Sequence, residues 1–131
     1  NVMTDKRYVY VIGPEKHRSG MYTKIGIAKD PEERLKALDT GHPAQLHIHH
    51  LHGPTTKFFE IEKRAHTMLH NQRGDGEWFK VSPREAIRTV KKAAKADRAM
   101  SWFEVLVIPA LTTAAVVGAL AAPFILMEVL R

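Results

Sequence analysis

Val9-Tyr10-Val11-Ile12 is a β-branched and aromatic run cut off by Gly13-Pro14, and a chain that opens on such a run must build around it as a strand. Tyr10 then points to one face of that strand. A second run, TKIGIA from Thr23, reads as another strand, and Gly26 within it admits close approach of a neighbouring group. The chain then turns directly into a helix. Asp30 is placed to cap it, Pro31 occupies the first helical position and Glu33 closes a capping box over a helix expected from Pro31 to Leu38. Arg34 lies one turn in, so its guanidinium reaches back toward the strands. Tyrosine, glycine and arginine thus converge.

Beyond Leu38, Asp39 to Pro43 reads as a turn and Gln45 to Leu51 as a third strand ending near Gly53-Pro54. Thr55 or Thr56 is the expected cap of a second helix, with Phe58, Ile61, Ala65 and Met68 as its core face. A turn at Gly74-Asp75-Gly76 leads to a short strand, Glu77 to Val81. Ser82-Pro83-Arg84-Glu85 opens a basic amphipathic helix that carries Arg88, Lys91, Lys92, Lys95 and Arg98.

Charge divides the chain. Residues 1–101 hold nineteen Lys and Arg against twelve Asp and Glu, a formal charge of +7, which favours a polyanionic partner. Val105 to Met127 are 23 residues without a charge, about the length that crosses a bilayer. That run predicts a transmembrane helix, with Trp102 in the interfacial belt and the basic residues before it holding the N-terminal domain in the cytoplasm. Cysteine is absent, which excludes disulfides and thiolate metal sites.

Several residues are candidates for chemistry, each with a plainer alternative. Glu62 and His66 stand four apart on one helix face, either as a ligand pair or as an ordinary i, i+4 pair. Tyr10 is a general base or a half-buried strand aromatic. Arg34 steadies negative charge or pairs with Asp30 or Glu33. Lys24 meets a phosphate or faces solvent, and Tyr22 is near enough to supply a hydroxyl. On strict alternation His47 and His49 share one face of the third strand and His50 and His52 the other, too few on either for tetrahedral zinc. His42 or a neighbour lines a groove, Trp78 and Phe79 close the core, and Glu77 orients Arg34 or a histidine.

Pairing a VYVI strand with a KIGI strand, the chain resembles the GIY-YIG endonuclease superfamily, within it the meiotically up-regulated gene 113 branch, over Tyr8 to Val81. Tyr10 falls on the tyrosine of the first motif, Gly26 on the glycine of the second and Arg34 on the helix arginine, while Lys24 replaces the second tyrosine. The resemblance implies that Glu62 binds a catalytic Mg²⁺ or Mn²⁺ and that Tyr10 activates water while Arg34 steadies the phosphorane, with Lys24 and His66 beside them. Lys24, Lys29, Arg34, His42 and Lys63 are the expected nucleic-acid contacts, to DNA in preference to RNA.

The expected fold is α/β of the α+β type, a small three-stranded mixed or antiparallel sheet flanked by helices, plus one C-terminal transmembrane helix. The expected domains are 8–81 (nuclease-like), 82–101 (basic helix and linker) and 102–131 (membrane segment). The expected function is a membrane-tethered, metal-dependent DNA endonuclease. The alternatives are an inactive nucleic-acid-binding module on the same fold and a membrane scaffold.

Overall fold

The computed structural model describes residues 4–106. The elements run β1 (Arg7–Pro14), β2 (Thr23–Ala28), α1 (Pro31–Asp39), β3 (Leu46–Thr55), α2 (Phe58–Met68), a short 3-10 turn (His70–Gln72), β4 (Trp78–Phe79) and α3 (Pro83–Leu106). Residues up to Asp97 belong to one compact unit, and those from Arg98 onward to a second.

The alternating pattern of β1 sets the layers. Val9 and Val11 face one way and, with Ile25, pack under α2 and α3 through Ile61, Ala65, Leu69, Ala86, Val90, Ala93 and Ala94. Tyr10 and Ile12 face the other way with Leu46, under Leu35 and Leu38 of α1. A sheet with helices on both faces buries its central strand completely, and Val9 to Ile12 are at most 1% exposed.

The sheet has four strands, not three, in the order β3-β1-β2-β4, and every pairing is antiparallel. The fourth is the two-residue β4. It is held because Thr23 and Lys24 pair with Phe79 and Trp78, and the buried Thr23 hydroxyl donates to the Val81 carbonyl at 2.7 Å. The third strand runs on to Thr55, past its expected end at Leu51. Lys57 therefore occupies the N-cap position of α2 without a side-chain cap, and the Thr55 hydroxyl instead accepts from the Lys57 N–H at 3.0 Å. Met68 is 46% exposed because α2 ends there and the chain tightens into the 3-10 turn, which carries Leu69 inward in its place.

The histidine alternation also changes. The β1–β3 register slips between Val11 and Ile12, so Val11 faces His50 while Ile12 faces Ile48. His49 is the extra residue, and its Nε2 donates to the Pro14 carbonyl at 2.9 Å. His47, His50 and His52 then sit opposite Gly13, Val11 and Val9, on one face rather than two.

Ala86, Thr89, Val90, Ala93 and Ala94 of α3 are buried in the core, while Arg84, Arg88, Lys91 and Lys95 line its exposed side. The membrane placement is corrected. Among the described residues no helix is long and apolar enough to cross a membrane, since α3 has the length but carries six basic side chains between Arg84 and Arg98. The expected span at 105–127 lies outside the described residues except for Val105 and Leu106, the last two of α3.

Candidate active site

Tyr10 sits at the middle of β1, opposite Gly26 on β2. Its ring lies across Gly26 so closely that a Cβ there would run into the Tyr10 hydroxyl and the ring carbon that bears it. Only glycine fits. The helix that follows β2 starts as its residues dictate. Pro31 is at the first turn, and the Asp30 carboxylate accepts the Glu33 N–H at 3.1 Å. That cap fixes the first turn and brings the Arg34 guanidinium close enough to the Tyr10 hydroxyl to act on its pKa. Burial pushes the Tyr10 pKa up, the Arg34 guanidinium pulls it down, and the charges of Glu77 and Glu62 add to the rise. The net effect is upward, so the phenol holds its proton at neutral pH.

Glu62 enters from α2. It is 9% exposed, and its Oε2 has no hydrogen-bond partner. Burial foremost, then the charge of Glu77, raises its pKa to about 7 against the pull of Lys24 and Arg73. Lys24 is buried as well. Its Nζ meets Glu77 Oε2 at 3.1 Å and lies 5.6 Å from the Trp78 ring. Tyr10, Arg34, Glu62, Lys24 and Glu77 therefore share one electrostatic centre.

His66 is occupied. Its Nε2 donates to the Ile25 carbonyl at 2.8 Å, its Nδ1 lies 3.4 Å from the Arg73 guanidinium, and its ring tilts on Phe79. Burial lowers its pKa, so it is a neutral pin between α2 and β2. His42 stacks on Trp78 with centroids 5.4 Å apart. Together with Tyr22, Gly74 and Asp75, these rings line a cleft of about 390 Å³. Lys29 and Lys63 are not brought to the centre: Lys29 pairs with Asp5 at 3.7 Å, and Lys63 lines a separate hollow with Phe59 and Arg64. Among the described residues no group of three or more His, Asp or Glu is placed to hold a metal ion.

Glu77 and its neighbour Arg73 are placed by pairings between distant segments. Glu77 reaches Lys24 only because β4 pairs with β2, and Ile25 N–H donates to the Glu77 carbonyl at 3.2 Å. Arg73 arrives through its bridge to Phe79, and its Nε donates to the Gly76 carbonyl at 2.7 Å.

The model of the T5orf172 domain matches residues 7–94. The chain belongs to the T5orf172 family. T5orf172 domains occur in proteins associated with GIY-YIG and HNH-like nucleases. The T5orf172 match starts at the first residue of β1 and ends within α3, so every side chain of the centre lies inside it. No curated protein and no solved structure matches the chain.

Proposed function

We propose that this chain cuts nucleic-acid phosphodiester bonds as a GIY-YIG type endonuclease of the gene 113 branch, acting on DNA. The observation that carries the reading is the Tyr10 hydroxyl laid over Gly26 within the influence of Arg34, beside the buried, unpartnered Glu62 oxygen. A tyrosine, an arginine and a carboxylate meet the needs of phosphoryl transfer, which rests on placement and charge stabilisation more than on covalent chemistry.

An orphaned carboxylate oxygen suits a hard divalent cation such as Mg²⁺ or Mn²⁺, which binds through one or two carboxylates and completes its shell with water and phosphate. Glu62 would hold it, and when bound it would supply Lewis-acid neutralisation of phosphate charge. Arg34 and Lys24 draw the phosphate in. Attack by water forms one P–O bond as the bond to the leaving sugar oxygen breaks. Tyr10 first gives its own proton to solvent, an ionisation that Arg34 favours and burial opposes; the phenolate then takes the water proton, and solvent protonates the leaving sugar oxygen. Arg34 also meets the charge that grows on the phosphorus oxygens, where a fixed planar cation contributes most.

Lys24, in place of a second tyrosine and paired to Glu77, favours a second reading, a module that binds without turnover. Supercoiled DNA incubated with the full chain and Mg²⁺ or Mn²⁺ separates the two. Nicking that needs the metal and drops at least 100-fold in Glu62→Gln and Arg34→Ala, with DNA affinity within a few-fold of the parent, is the expected result. Undiminished cutting by Glu62→Gln would remove the carboxylate from the reaction. Binding with no cutting by the parent would select the second reading.

A further inference from the structure

We infer that the cleft lined by Tyr22, His42 and Trp78 is a subsite for one unpaired nucleobase, so that the substrate is a strand with single-stranded or unstacked character. This rests on the nucleic-acid reading above and adds to it the form of the substrate.

The cleft is walled by rings rather than by cations. His42 and Trp78 already lie as a stack, 5.4 Å between centroids and 23° between planes. Tyr22, 42% exposed, lines the same cleft and leaves its ring accessible from solvent. Its ring is seated on the turn because residue 74 is glycine, where a Cβ would stand 2.6 Å from the ring's Cε1. The space between, about 390 Å³, takes a base with part of its sugar, and the Asp75 carboxylate in the lining is an acceptor for a base amino group.

Trp78 connects this cleft to the reaction centre. Lys24, its Nζ 5.6 Å from the Trp78 ring, is paired with Glu77 at 3.1 Å. A base seated against the rings therefore has its phosphate on the side of Lys24. In a duplex the base faces are covered by their neighbours, and a protein meets mainly phosphates, sugars and base edges. Aromatic walls gain energy only from an exposed base face, the mode by which single strands and flipped bases are bound.

Chelator-treated full chain carrying Trp102→Phe tests this, because Trp78 is then its sole tryptophan. Its fluorescence is titrated with a single-stranded adenine-rich oligonucleotide, the same sequence as duplex, an abasic strand of equal length, and adenosine monophosphate. Quenching by the single strand at concentrations where the other three leave the signal unchanged is expected. Tyr22→Ala or His42→Ala, checked for folding by circular dichroism, should weaken that strand's binding about ten-fold. Equal quenching by the duplex or the abasic strand would overturn the subsite, as would a mononucleotide that binds as tightly as the strand. No cutting is involved, so base-dependent quenching in a chain that never cleaves DNA would keep the subsite and sink the nuclease. Cleavage of duplex without base-dependent quenching would do the reverse.

Discussion

Gly26 and Tyr10 act as one unit, because the glycine leaves the room the phenol occupies. In Gly26→Ala the new methyl and the Tyr10 ring compete for the same space in a buried strand pair, and the ring has to move. The expected loss is about 1–3 kcal/mol in urea denaturation, together with loss of cutting as the hydroxyl leaves Arg34. Glu62 behaves in the opposite sense. Its pKa is raised from its ordinary 4.5 to about 7, so between those values the unfolded chain ionises it while the folded chain keeps it protonated. Stability falls as pH rises through that window, and the loss is complete above about 7. In chelator, Glu62→Gln should therefore be more stable than the parent at pH 8, by on the order of 2 kcal/mol, with the gain vanishing near pH 4.5 in thermal melts at both values. A variant destabilised at pH 8 would mean that the carboxylate is supported by its surroundings. Tyr10, Gly26 and Arg34 were legible in the sequence because each lies in a segment whose local pattern fixes its direction. Glu77 was read as orienting Arg34 or a histidine, whereas it pairs with Lys24, and Arg73 was not singled out, since both reach the centre through pairings between distant segments.

At the scale of elements, α1 is the part whose start governs its chemistry. Asp30 holds the first turn, Arg34 follows within it, and the Arg34 N–H donates to the Asp30 carbonyl at 3.1 Å. Asp30→Ala should lower stability by about 1 kcal/mol and slow cutting more than that loss explains, because the frayed turn is the one that aims the guanidinium. Asp30→Ser should restore both, as measured by urea titration and cleavage rate; recovery of stability alone would show that Arg34 is positioned without the cap. This helix was readable from its signals, proline and capping box included. The ends of α2 were not: β3 continues to Thr55 and takes the expected cap residue into the sheet, and the 3-10 turn exchanges Met68 for Leu69 in the core. Such outcomes depend on where the sheet stops, which no window of local sequence contains. The bulge at His49 is of the same kind, a register slip that moves three histidines to one face.

Across the whole molecule, positive charge is spread over two sides of the sheet. Arg34 and Lys24 belong to the Tyr10 centre, whereas Lys95 lines the outer side of α3, which packs on the opposite face. Nucleic-acid affinity should fall with salt along a straight log–log line, by roughly 0.7 per phosphate contacted on a single strand. Arg34→Ala should make that slope shallower by about one contact, and Lys95→Ala should leave it unchanged; a change in the second alone would place the strand on α3. The margins of the sheet complete the picture. β4 gives one edge of only two residues, while β3 runs ten residues along the other. A flat edge of that length is a template for a second copy of the chain. Here two register slips interrupt its ladder, Gly53 turns the backbone at φ 116°, and Pro54 offers no N–H. The long margin is thereby blunted against strand-by-strand aggregation, a safeguard for a protein whose other edge is too short to recruit anything.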